Sequence, residues 1–432
     1  MSDPRPTLLA NARILDPSRD LDLVGDVLIG DGVVKDIAPG LAAAGLPDGA
    51  EVVDCRGLLV APGLVDMRAF IGEPGAEHRE TLASASQAAA AGGVTTIICQ
   101  PDTDPVIDEP AIVDFVRRRA RDTAIVRVHP MAALTKGLAG REMTEIGRLG
   151  EAGAVAFTDA NRSIASAQVL RRALVYARDF GALIVHHTED ATLTGEGVMN
   201  EGELASRLGL AGVPKAAETV VFERDVRLTA MTGGRYHAAS LTCRDSLEVL
   251  RRAKDEGFQV TASASINHLT LNERDVVGYR TFFKLEPPLR GEDDRVALVE
   301  ALAEGLIDVV VSDHNPQDVE VKRLPFSEAA AGAVGLETML AAGLRLVNAG
   351  QLDLMTLVRA MSTRPAELLG LEAGTLRPGA PADIAVIAPD EAWLLDAATL
   401  KSRCRNTPFD EARFEGRVVR TLVAGRTVYE YV

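Results

Sequence analysis

A chain of 432 residues, 47% of them hydrophobic, can bury a large core and exceeds the usual size of one simple domain. Its formal net charge is −16, from 46 Lys+Arg against 62 Asp+Glu, and no Lys/Arg-rich run interrupts it, which argues against nucleic acid as a partner. Cys55, Cys99, Cys243 and Cys404 are far apart and form no Cys-x-x-Cys pair, so neither a disulfide framework nor a cysteine zinc site is expected.

The first residues, 1–6, lack the apolar core of a signal peptide, and no apolar run reaches the length of a membrane span; a cytoplasmic protein that does not engage membranes is expected. From Leu8 to about Val60 the pattern is short β-rich runs and turns, and Gly30-Asp31-Gly32 between two such runs predicts a hairpin. Residues 60–75 read as a buried strand that ends in a loop, with Pro62-Gly63 at the entry and Pro74-Gly75 at the release. After Gly63 an apolar strand, a loop and an amphipathic helix alternate many times. Strands are predicted at 95–99, 124–128, 154–157, 182–185, 235–239, 259–262 and 308–311, with helices such as 165–179, 246–256 and 295–304 between them. With the opening strand this makes about eight strand units, which suits a (β/α)₈ TIM-like barrel over 61–366. The chain returns to β at 383–387 and 417–426, so residues 1–60 and 367–432 are expected to join in one small β-sandwich.

Where a barrel strand gives way to its loop, side chains converge on a ligand while the scaffold stays rigid. Here the outward residues after Asp66 are Arg68 and Phe70, neither a usual metal ligand. Gly92-Gly93 is no phosphate loop, because neither Gly-Lys-Ser/Thr nor Gly-x-Gly-x-x-Gly follows; it marks tight helix-to-strand packing.

Eight motifs occur in order along essentially the whole chain: Pro62-Gly63-Leu64-Val65-Asp66, Glu73-Pro74-Gly75, Gly92-Gly93-Val94-Thr95-Thr96, Asn200-Glu201-Gly202-Glu203, Pro287-Pro288-Leu289-Arg290, Ser312-Asp313-His314, Gly335-Leu336-Glu337-Thr338 and Arg405-Asn406-Thr407-Pro408-Phe409. Together they resemble type I dihydroorotases of the amidohydrolase superfamily. The resemblance implies a zinc centre at the barrel mouth, held by a His-x-His, a bridging aspartate and two further histidines, with a last aspartate as proton shuttle. Zinc suits that chemistry because it takes about four N/O donors and brings the pKa of bound water to about 7.

Carried over by position, the set is incomplete. His-x-His falls on Arg68 and Phe70, and a later histidine falls on Ser240; Asp159, His187 and Asp313 remain as remnant ligands, Asp313 also as the family's shuttle. Neither metal position then reaches three good ligands. The resemblance also implies an arginine and an asparagine that grip a substrate carboxylate, and these fall on Gly72 and Asp102. Arg68 is expected to pair with Asp159 or Asp313 and to stand in for the metal's charge. His186, His237, His268 and His314 are read as hydrogen-bonded barrel histidines, and Cys243 as a small buried residue.

Two functions stay open at this point. By resemblance the first is a dihydroorotase-like protein of pyrimidine biosynthesis without catalysis or cofactor, oligomeric, that assembles or stabilises aspartate transcarbamoylase. The second is an active cyclic-amide hydrolase with a reduced zinc centre held by Asp159, His187 and Asp313.

Overall fold

The structure, a computed structural model, describes residues 5–431; residues 1–4 of the N-terminal stretch and Val432 lie outside the described residues. Eight parallel strands form the central barrel: Leu64–Ala69, Val94–Cys99, Arg127–Pro130 continuing into Ala132–Ala133, Phe157–Thr158, Leu183–His187, Arg235–Ala239, Val260–Ser265 and Val309–Val311. Neighbours pair in chain order, and the ring closes where the Phe70 N–H donates to the His314 carbonyl at 2.8 Å. Asp66 locks the same seam from inside. Fully buried, it accepts from Ser312 N at 3.0 Å, from the Ser312 hydroxyl and from Arg68 N at 3.3 Å, and burial pushes its pKa up to about 6.

Both chain ends enter one continuous eight-stranded sheet, joined where Ile384–Leu394 runs antiparallel to Leu59–Pro62. Alternation along these two strands divides the cores: Leu59, Ala61, Ala385 and Ile387 face the barrel, while Val60, Ile384 and Val386 face a second cluster with Leu9, Ile14 and Val27. The predicted hairpin joins Leu21–Gly30 to Val33–Ala38, and Asp31 (φ 52) with Gly32 (φ 76) supplies the two positive φ values such a two-residue turn requires.

Three predicted runs differ, one of them 154–157, of which only Phe157 is strand, in Phe157–Thr158. Residues 124–126 are not strand, because Ala124 caps the helix Pro110–Thr123 through its N–H to Ala120 O and the strand starts only at Arg127. Residues 417–426 are not one run but a hairpin between Arg413–Val423 and Arg426–Glu430, turned by Ala424 (φ 48) and Gly425 (φ 73). At Gly92 the close approach expected of the glycine pair is literal: a Cβ there would lie 2.0 Å from the Leu336 carbonyl oxygen. The helix that ends there, Leu82–Ala91, starts at a capping box between Thr81 and Ser84. No helix among the described residues is long and apolar enough to cross a membrane.

Candidate functional site

Each sequence-predicted site residue stands at the C-terminal end of a barrel strand or in the loop after it, which is where this architecture gathers its chemistry. Arg68 is buried, and its Nε donates to Asp313 Oδ1 at 2.9 Å while Nη2 donates to Asn161 Oδ1. Asp159 takes no part in this pair. Its Oδ1 accepts from Leu134 N at 3.1 Å and Thr135 N at 2.8 Å, and its Oδ2 accepts from the Thr135 hydroxyl. Burial nevertheless raises its pKa above the ordinary aspartate value.

Phe70 is buried under Arg79, whose guanidinium carbon lies 3.8 Å from the ring centroid. Ser240 is buried in the left-handed region (φ 58), its hydroxyl unpartnered, and Asp313 shares that backbone conformation (φ 53). Two non-glycine residues held this way at strand ends are the kind of local strain that collects at functional sites. Gly72 has no room for a side chain, since a Cβ would meet the Ala76 carbonyl oxygen at 2.2 Å. Asp102 keeps one carboxylate oxygen buried without a partner; burial raises its pKa, and Arg68, Arg79 and Arg162 pull it back.

His187 is the remaining predicted ligand. Its Nδ1 is buried without a partner and its Nε2 stands 3.8 Å from Glu189 Oε2. Burial, then the nearby Arg68 guanidinium, pushes its pKa down to about 3, so the ring is neutral at neutral pH. Asp159, His187 and Asp313 are not a group whose ligand atoms gather within 4.8 Å of one another: one carboxylate serves a loop and one holds a guanidinium. Among the described residues the group of three that could hold a metal ion is instead His187, Glu189 and Glu286, whose ligand atoms all lie within 4.8 Å of one another. Burial raises the pKa of both glutamates.

Four other barrel histidines are held by partners outside this group. His186 Nδ1 meets Asp225 at 2.7 Å and its Nε2 accepts from Ile164 N; His237 meets the Thr261 hydroxyl at 2.8 Å. His268 Nε2 donates to Pro287 O at 3.0 Å, and His314 Nδ1 accepts from Gly335 N at 3.1 Å while its Nε2 lies 3.4 Å from Glu80. Cys243 is buried beside Glu218 with its thiol pushed up to about 12, which makes it inert. Asn161, Glu189 and Glu286 escaped the sequence reading. Glu189 could have been found by parity, two residues beyond His187 and so on the same side of an extended segment, and Glu286 from its place just before Pro287-Pro288. Nothing in the sequence marks Asn161.

Over 423 residues the chain is 42% identical to a dihydroorotase from Citrifermentans bemidjiense, covering 98% of this chain and 99% of that protein. The chain belongs to the dihydroorotase-like family. Residues 57–246 match the family model described as dihydro-orotase-like, and a dihydroorotase from Pelobacter propionicus is 43% identical over 422 residues, with the same coverage. Among solved structures, the L-hydantoinase (dihydropyrimidinase) from Arthrobacter aurescens has a TM-score of 0.89 at 28% identity and covers 100% of this chain and 96% of that one. The dihydropyrimidinase from Brevibacillus agri, at 22% identity and TM-score 0.85, covering 98% and 95%, shares the fold. Within the dihydroorotase-like family this chain's mouth does not fit the zinc centre the resemblance implies. The positions of two histidines hold a cation and a ring, the shuttle aspartate is in an ion pair, and the bridging aspartate is spent on a backbone turn.

Proposed function

We propose that this protein is a dihydroorotase-like member of pyrimidine biosynthesis that does not hydrolyse dihydroorotate and instead assembles with aspartate transcarbamoylase in the cytoplasm, stabilising it. The observation that carries the reading is the buried Arg68 Nε–Asp313 Oδ1 contact of 2.9 Å, which puts a permanent cation on the group that would shuttle protons. Gly72 and Asp102 support it, because neither can grip a substrate carboxylate. The partner comes from the resemblance alone, and its test is direct. Co-expression with the cognate transcarbamoylase should give one co-eluting complex at micromolar concentration; two separate peaks refute the partnership.

Full-length similarity to proteins called dihydroorotase favours a second reading, hydrolysis of a cyclic amide. Saturable turnover of dihydroorotate or a hydantoin that disappears in Asp313→Ala would establish it and remove the first.

A further inference from the structure

We propose that His187, Glu189 and Glu286 form a binding site for a single divalent transition-metal ion, with a donor set that meets the family's zinc centre only at His187 and opens onto the cavity that Glu189 and Glu286 line. Two independent features point there. The first is convergence: three ligand atoms, from the end of strand Leu183–His187, the loop after it and a second loop, lie within 4.8 Å of one another. Closing on an ion with bonds of ~2.1 Å needs separations of ~3.4 Å, so a movement of about 1 Å suffices. The second is that a deeply buried member is unsatisfied on the side that faces the others. Glu189 is 5% exposed, yet its Oε2 has no hydrogen-bond partner and faces His187 Nε2 at 3.8 Å. Buried polar atoms seldom stay unpaired, and an ion or an ordered water completes them.

The scaffold fixes two donors and leaves the third free to close. Ser163 Oγ donates to the His187 carbonyl and accepts from Glu189 N at 3.0 Å, and Glu189 Oε1 is held by the Thr194 hydroxyl at 2.7 Å, which leaves Oε2 for an ion. Glu286 stands at the rim of a cavity of about 750 Å³ that Glu189, Glu196, Lys284 and Glu328 also line, so a path from solvent exists. Among the described residues neither Glu189 nor Glu286 has a Lys or Arg within ion-pair distance. Two carboxylates and an imidazole give a donor set of charge −2 that a dication neutralises, and one nitrogen with carboxylate oxygens selects Zn²⁺ or Mn²⁺ over Mg²⁺ or Ca²⁺. Three protein donors leave a position open toward the cavity for water. The family's set, as the resemblance gives it, shares only His187 with this one.

The inference goes beyond the transcarbamoylase reading, and the two fail separately: one is read from complex formation, the other from metal stoichiometry. Chelator-treated full-length protein would be titrated with Co²⁺, followed by visible absorption, and with Zn²⁺ in equilibrium dialysis. One ion per chain is expected, with affinity reduced at least about tenfold in Glu189→Gln and in Glu286→Gln and unchanged in Asp313→Asn. Glu286 is a rim residue, so Glu286→Gln keeps the fold and decides alone if Asp313→Asn does not fold. Absence of stoichiometric binding would overturn the proposal. So would binding that survives Glu286→Gln, because the ion would then sit elsewhere.

Discussion

Arg68 and Asp313 form a buried ion pair at the barrel mouth. Both side chains are nearly out of water, at 7% and 12% exposure, so each depends on the other to offset its desolvation. Removing one partner of such a pair typically costs about 3–5 kcal/mol, while replacing both with apolar groups is close to neutral. Arg68→Met is therefore expected to lower stability by about 3 kcal/mol in urea unfolding, and Arg68→Met with Asp313→Leu to recover most of the loss. Restoring histidines is a different matter. Arg68→His with Phe70→His supplies two donors, but Ser240, Gly72 and Asp102 remain as they are, so no dihydroorotate turnover is expected in a steady-state assay.

Elements carry the next level, and at Gly92 the carbonyl of Leu336 stands where a Cβ would be. Gly92→Ala must push helix Leu82–Ala91 away from that loop, a form of overpacking that costs about 1–3 kcal/mol or more and should appear as a lower melting temperature. The elements were largely legible because buried parallel strands read as short apolar runs between Gly- and Pro-marked turns, as at 183–185 and 309–311. Residues 124–126 misled because an apolar run alone does not say whether it ends a helix or starts a strand. Ala424-Gly425 was passed over although a two-residue turn with positive φ is a hairpin signal. At the site, motif spacing located Arg68, Phe70, Ser240 and Asp313 on the barrel mouth. It could not pair Arg68 with Asn161 or bring Glu286 to His187, because residues of different strands meet only once the ring has closed.

Taken whole, the molecule is a closed barrel joined to an eight-stranded sheet, and a buried histidine within the barrel couples its stability to pH. His237 is buried on its strand against Thr261, and burial pushes its pKa down to about 4. Its folded pKa lies below the unfolded value of about 6.5, so the unfolded chain takes up the proton first. The contribution is intact above about pH 6.5 and is lost as pH falls toward 4. Replacing His237 with Gln should flatten the acid loss of stability across that window by up to about 3 kcal/mol, measured by urea unfolding at each pH. At the mouth, one measurement bears most directly on the proposed loss of the family's zinc centre: an anomalous-scattering crystal structure of the zinc-soaked protein. Arg68 should remain on Asp313, with no zinc between Asp159 and Asp313. A zinc peak there, with Arg68 displaced from its carboxylate, would contradict the account.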